Sequence, residues 1–380
     1  RMWKFILMFI AIYGGMHAYL VWRVHRAVPH SRAALIGAIV FSLFMIALPI
    51  LGRRLEDRLG EWFGAIVMLF AFTWTFWLFW FLMMGVAVDV WNLLMRGLAL
   101  RWERPSAFIA PPGKALIAFC AVILLASVWG LFEASRIKVR EVDIPTARLA
   151  PGEDAIRIVQ ISDVHLGVTM PLNRFQRVVD TVRALEPDVL VDTRDFVDAL
   201  PESLDEHLAL IEAIKPPMGK YAVTGNHEFY VGMGKIEEVH RKTGFELLRG
   251  RHVRIGGDRL ILAGVDDPTA RRTEATSYLD EDAALPPLDP DGPPVVLLKH
   301  IPNIDSSVVG RYDAQLSGHI HGGQIWPFRY FVKLQFDYGV GLHRLAKGWL
   351  SVSPGTGSWG TPMRVGSPPK IMLIRLVPAG

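Results

Sequence analysis

The stretch Ile156-Arg157-Ile158-Val159-Gln160-Ile161-Ser162-Asp163-Val164-His165 decides the fold. Its first half is a short apolar run rich in β-branched residues, which reads as a buried strand. Its second half turns polar at once and offers Asp163 and His165. The same pattern recurs downstream. Asp188–Thr193 runs into Arg194-Asp195, Lys220–Thr224 into Gly225-Asn226-His227-Glu228, and Pro294–Lys299 into His300. A later strand ends in Ser317-Gly318-His319-Ile320-His321-Gly322-Gly323, and Arg259–Val265 is one further apolar stretch. Helix-like segments fall near 173–185, 204–214 and 234–243, while Asp280–Pro294 reads as a surface loop. Strands alternating with helices imply a layered α/β domain. In such sheets ligand sites gather at the carboxyl ends of strands, so the polar strand ends read as one convergent site.

The donor types set the chemistry. Cys120 is the single cysteine, which excludes an intrachain disulfide and a cysteine zinc cluster. Histidine, carboxylate and amide oxygen suit Zn, Mn or Fe. Asp163, His165, Asp195, Asn226, His300, His319 and His321 are more donors than one zinc ion takes. Two divalent metal ions about 3.5–4 Å apart, sharing a carboxylate, would use them all and suit phosphoryl transfer. His207, His240 and His252 fall outside these motifs and read as solvated. Asp192 and Asp198 read as flanking groups, and His343 as near the site mouth. Ser162 lacks a nucleophile elbow, and Gly232-Met233-Gly234 lacks the lysine and spacing of a phosphate loop.

With these motifs in this order, the chain resembles the calcineurin-like metallophosphoesterases, in particular their membrane-attached bacterial branch. The resemblance spans about Val139–Leu376, including Gly355-Thr356-Gly357 and Pro362-Met363-Arg364. It implies two packed β-sheets flanked by helices. It assigns Asp163, His165 and His321 to a first metal, Asn226, His300 and His319 to a second, and Asp195 as the bridge. It makes His227 a catalytic residue that orients the phosphate or protonates the leaving oxygen, beside Asp195 and Asn226. Arg194 departs from the family, which usually has glycine there. Three readings of Arg194 stay open: turned away, binding a substrate phosphate as a bidentate clamp, or weakening the metal site.

The front of the chain is a different material. The protein has 380 residues, 51% hydrophobic, with a net charge of +4. Residues 1–135 carry +6 and nine of the twelve tryptophans, and the remainder carries −2. The basic balance therefore belongs to the front segment and is no nucleic-acid footprint. Phe5–Trp22, Ala33–Leu51, Trp62–Val88 and Ala115–Phe132 are apolar runs near or above the length of about 20 residues that crosses a bilayer. The connectors are short and basic: Arg23, Arg26 and Arg32, then Arg53, Arg54 and Arg58, then Arg96, Arg101, Arg104 and Lys114. Trp62, Trp91 and Trp102 lie near run ends, where headgroups favour them. Asp89 falls just past the third run, at the interface. Basic residues divide evenly between the two sides, so charge gives no orientation.

The expected organisation is a four-helix transmembrane segment over 1–135, a linker over 136–155 that includes a strand or arm, and a catalytic α/β domain over 156–380. The expected function is a membrane-anchored, dinuclear metal-dependent phosphoesterase. Its hydroxide, activated by the metals, would cleave a phosphodiester, phosphomonoester or pyrophosphate bond. The lipid bilayer is the expected partner, since Trp326-Pro327-Phe328-Arg329-Tyr330-Phe331-Val332-Lys333 mixes aromatic and basic groups as interfacial segments do. That stretch points to a phosphorylated, lipid-linked substrate. The branch resembled implies an inner-membrane location with an extracytoplasmic catalytic domain. The alternative is a membrane receptor or sensor that keeps the metal-binding fold without catalysis, and Arg194 is the feature that favours it.

Overall fold

The computed structural model describes residues 2–102, 104–198, 204–273 and 280–379; the side chains of 2–7, 9, 53–58 and 61 lie outside the described residues, so Arg53, Arg54 and Arg58 are not placed. The chain divides into two units, Arg1–Trp129 and Gly130–Gly380.

The four apolar runs each become a helix: α1 (Met2–Ala27), α2 (Arg32–Leu59), α3 (Glu61–Ala99) and α4 (Pro112–Ser135). Three stretches, Arg32–Gly52, Trp62–Ala99 and Pro112–Ser135, are long and apolar enough to cross a membrane. The shortest has 21 residues, about 30 Å at the helical rise, which matches the hydrocarbon core. The expectation of four such helices is met by three among the described residues. Within the first unit Arg23 is buried and lies 3.1 Å from Asp89, which also accepts a hydrogen bond of 2.6 Å from the Tyr19 hydroxyl. Asp89, expected beyond the third run, is thus inside the long helix α3 and has a cationic partner, as charges in such helices require.

The second unit is built from β1 (Lys138–Thr146), β2 (Ile156–Ile161), α5 (Leu172–Ala184), β3 (Val189–Asp192), α6 (Leu204–Glu212) and β4 (Lys220–Ala222). Then follow α7 (Asn226–Val231), α8 (Met233–Thr243), β5 (Glu246–Leu247), β6 (Arg251–Ile255), β7 (Leu260–Gly264), α9 (Ala270–Thr273) and α10 (Glu281–Ala284). Last come β8 (Val295–Leu298), β9 (Ala314–Ser317), α11 (Phe328–Gln335), β10 (Gly341–Arg344), β11 (Trp349–Val352) and β12 (Lys370–Pro378). Lys138–Thr146, inside the segment read as a linker, is a full strand paired in parallel with β12 over nine positions.

Two six-stranded mixed sheets form, ordered β1-β12-β2-β3-β4-β5 and β10-β11-β9-β8-β7-β6. Alternation within the strands shows why the runs are apolar throughout. Ile158, Val189 and Val191 face Leu262, Val296 and Leu316 in a core between the sheets. Their neighbours Val159 and Leu190 pack on the other face against Phe175 and Val178 of α5 and Leu208 of α6. Ile261, Val295 and Leu297 do the same on the outer face of the second sheet. Both faces of the central strands β2, β3, β7, β8 and β9 are buried, which removes the polar alternation of a half-exposed strand. The 280–294 segment is less loop-like than its composition suggested. Asp280 caps α10 through Ala283 N, and buried Glu281 pairs with buried Lys299.

Candidate metal centre

Strands β2, β3, β4, β8 and β9 all end at one edge, and each delivers its motif there. Asp163 and His165 follow β2, Asp195 follows β3, Asn226 opens α7 after β4, His300 follows β8, and His319 and His321 follow β9. The backbone has to turn sharply to aim them. Asp163, His165, Asp195, His319 and His321 all have positive φ, between 48° and 71°. Asp, Asn and His tolerate this region better than other non-glycine residues. Five such residues in one place mark strain held for a purpose. Neighbouring glycines make room: a Cβ on Gly318 would lie 1.9 Å from Ser162 Oγ, and one on Gly225 would lie 2.2 Å from Asp195 Oδ1.

The side chains gather into two clusters. In the first, Asp163, His165 and His321 bring one ligand atom each within 4.8 Å of one another. His165 Nε2 and His321 Nε2 are 3.0 Å apart, and His321 Nε2 is 3.4 Å from Asp163 Oδ1. In the second, Asp195, His300 and His319 converge equally. His300 Nε2 lies 3.1 Å from Asp195 Oδ2 and 3.0 Å from His319 Nδ1. Asn226 Oδ1 is buried and has no hydrogen-bond partner. An acceptor left orphaned in a dry site costs free energy unless something else binds it, and a cation would. Together with the all-His, carboxylate and amide donor set, that orphan makes the site fit for divalent metal ions.

Electrostatics tie the two clusters together. Burial raises the Asp163 carboxyl, His300 opposes that, and the nearby Asp195 charge adds to it. For Asp195 burial acts upward, but His300, His227 and His165 outweigh it and hold the carboxyl well below the usual range. His319 is pushed down to about 3 by burial and by His300, and His321 falls well below its ordinary value through burial and His165. Both rings are therefore neutral, the form in which imidazole binds a metal.

Around the ligands is a shell the motifs only hinted at. Asp198 Oδ1 lies 2.6 Å from His165 Nδ1 and 2.7 Å from His227 Nδ1. It orients a ligand of the first cluster and the ring expected to act on the leaving oxygen, as carboxylates behind metal-bound histidines do. Burial opposes protonation of His227, yet Asp195 and Asp198 prevail and lift it to about 9. Glu228 is wholly buried and accepts from Asp195 N, Phe196 N and Gly225 N at 3.2, 2.9 and 2.8 Å, pinning the Asp195 turn to the Asn226 turn. Arg364 is wholly buried and reaches His321 Nδ1 at 3.1 Å. Asp267, just beyond β7, is a sixth strand-end contribution; its Oδ2 is buried without a partner and its charge acts on His300. The rule that found the other strand ends would have found it after Arg259–Val265.

Arg194 is not a substrate clamp. It is 1% exposed, and its guanidinium is consumed inside the domain. Nε donates to Val223 O at 3.1 Å, Nη1 pairs with buried Asp192 at 3.3 Å, and Nη2 lies 2.7 Å from His240 Nδ1. The Phe196 and Phe245 rings flank it at 5.3 and 5.6 Å. Of the three readings, the side chain turned away from the site is the one observed. His240 and His207, expected to be solvated, are buried too, because His240 meets Arg194 and His207 lies 3.2 Å from Met170 O. His343 bonds Gly339 O outside both clusters.

Known proteins are similar to this chain in sequence. Residues 156–323 match the family model described as calcineurin-like phosphoesterase. The chain is 37% identical over 260 residues to an uncharacterised metallophosphoesterase of Aquifex aeolicus, covering 68% of this chain and 98% of that one. It is 33% identical to a Danio rerio transmembrane protein with metallophosphoesterase domain, covering 69% of this chain and 62% of that one. An uncharacterised metallophosphoesterase of Campylobacter jejuni aligns over 98% of both chains at 26% identity. Motifs, sheet order and relatives agree, and the chain belongs to the calcineurin-like metallophosphoesterases.

Proposed function

We propose that the protein is a membrane-tethered, metal-dependent phosphoester hydrolase. The observation that carries this reading is the pair of His/Asp clusters with the orphaned Asn226 Oδ1 beside them. Asp163, His165 and His321 would hold one divalent ion, Asn226, His300 and His319 a second, with Asp195 between them. Bound ions of the Mn, Zn or Fe type supply an activated water and neutralise charge on the phosphoryl oxygens.

The chain's own residues do the rest. Asp198 fixes the His227 ring through Nδ1, which leaves Nε2 to hold a phosphate oxygen or give its proton to the departing oxygen. The Tyr230 and Trp359 rings pack edge-on against His227 at 5.4 and 6.1 Å. Monoesters, diesters and pyrophosphates all present the oxygens such a site takes. Helix α1 is a fourth membrane crossing beside α2–α4, the membrane is an inner membrane, and the hydrolase unit lies outside the cytoplasm. A sensor that has lost catalysis drew its support from Arg194 alone, and the burial of Arg194 withdraws it.

The test is hydrolysis of a chromogenic phosphodiester by the full chain with Mn²⁺, beside Asn226→Ala. Turnover by the parent and its loss in Asn226→Ala is the expected result. A folded, Mn-loaded parent with no turnover on diester, monoester or pyrophosphate overturns it.

A further inference from the structure

Downstream of α4, eight large apolar side chains are exposed among the described residues; four of them fall within residues 326–334 and two more, Tyr230 and Trp359, lie against the His227 ring. Leu334 is 84% exposed, Tyr230 67%, Tyr330 56%, Trp326 53%, Phe331 48% and Trp359 39%. Isolated exposed apolar residues are ordinary, but a cluster marks a binding surface. This cluster rims the metal centre. Tyr230 and Trp359 touch the His227 ring, and Phe336, the residue after α11, meets the His319 ring at 5.7 Å. Helix α11 follows the His321–Gly323 turn after residues 324–327, and no residue of it is buried. It is eight residues of mixed apolar and basic character, with Arg329 and Lys333 among the rings.

What covers this surface is indicated by the chain itself. The last turns of α4, from Gly130 on, belong to the second unit. Within that unit Gly130 O accepts from Arg364 N at 3.0 Å, Glu133 Oε2 accepts from Gly366 N at 2.7 Å, and Val365 O accepts from Trp326 N at 2.8 Å. Three hydrogen bonds thus link the end of a helix of membrane-crossing length to the first aromatic of the rim. Phe132, on that same helix end, is itself half exposed beneath the Arg136 guanidinium.

We infer that α11 and its rim dock on the surface of an anionic phospholipid bilayer and deliver a phospholipid phosphoester to the metal centre. The rings and Leu334 enter the acyl boundary, Arg329 and Lys333 meet headgroup phosphates, and the scissile phosphate stays at the level of His227. This inference rests on the hydrolase reading for its substrate but not for its docking surface.

The test uses the full chain in proteoliposomes of phosphatidylcholine with and without phosphatidylglycerol. An environment-sensitive dye is placed at Leu334→Cys or, as control, at Leu288→Cys, which is 60% exposed elsewhere, both in a Cys120→Ser background. Brominated lipids are expected to quench the dye at 334 and not at 288. In phosphatidylglycerol vesicles, Arg329→Gln with Lys333→Gln should lower the docked-to-free ratio roughly 30-fold. Leu334→Ser should lower the rate on vesicle phospholipid relative to a soluble chromogenic diester by roughly ten-fold or more. Equal quenching at 334 and 288 overturns the docking surface, even if the soluble diester turns over. Quenching at 334 with no turnover of any phosphoester keeps the surface and overturns the hydrolase reading. Turnover of the soluble diester with none of the phospholipid overturns the substrate class.

Discussion

Replacing Arg194 by methionine separates a structural arginine from a substrate-binding one. The guanidinium neutralises Asp192, which is wholly buried, and donates to Val223 O. Methionine keeps much of the apolar contact with Phe196 and Phe245 but strands the carboxylate. Breaking a buried pair from one side costs about 3–5 kcal/mol. For a unit of this size each kcal/mol moves the melting temperature by about 2–4 °C, so a fall of about 6–20 °C is expected. The loss should depend on pH. Burial already raises the Asp192 carboxyl to about 6, with Arg194 opposing it. A carboxyl whose folded-state value lies above its unfolded one is a penalty at neutral pH, relieved as pH falls through the folded value. Arg194→Met moves that value higher, so the variant should regain stability relative to the parent between pH 7 and pH 6. Adding Asp192→Asn should recover part of the loss, since no buried charge then remains unpaired. The assay is thermal unfolding of the detergent-solubilised full chain, followed by near-ultraviolet circular dichroism, with KM for a chromogenic diester measured alongside. A variant melting within about 2 °C of the parent but with a raised KM would refute the structural role and restore the clamp.

Gly225→Ala places a methyl 2.2 Å from Asp195 Oδ1 and 2.8 Å from Asp195 N, so bound metal measured by elemental analysis should fall while the domain stays folded; parent-like metal content would show that the turn adapts. Asp198→Asn loosens both His165 and His227, and calorimetry should show metal affinity down roughly 10–100-fold. At saturating Mn²⁺ its kcat should still be down about 10²–10⁴-fold, whereas full recovery of kcat would leave His227 without an acid's role. Stripping metal with a chelator should lower the melting temperature, and Mn²⁺ at about 1,000 times its Kd should restore about 4 kcal/mol of stability; an unchanged melting curve would mean that the centre binds no ion.

The strand ends were legible because each obeys two local rules at once. An apolar run of four to six residues stops, and a polar ligand type follows where the chain must turn. Asp163, His165, Asn226, His300, His319 and His321 were all reachable this way. Asp198 and Glu228 were harder, since their importance lies in what they touch across the fold: Asp198 reaches two histidines, and Glu228 holds the Asp195 turn through three backbone amides. Arg194 shows the limit most plainly. Sequence placed it beside Asp195, but a residue with φ +69° throws its side chain in a direction that adjacency does not reveal. His240 is the matching half of that error, 46 residues away in the chain. Strand β1 was legible only as a strand or arm without a place in the sheet, because its partner β12 lies at 370–378 and six of its nine residues face solvent.

The place of β12 bears on how the protein is made. It sits between β1 and β2, in parallel with one and antiparallel to the other. Until residue 378 or thereabouts has left the ribosome, β1 and β2 have no common neighbour and the first sheet cannot close. The long apolar helices α1–α4 are synthesised well before that moment. The first sheet is therefore completed last, after every residue of the candidate metal centre has been made, and any ribosome stall or truncation before Lys370 would leave β1 and β2 with open edges.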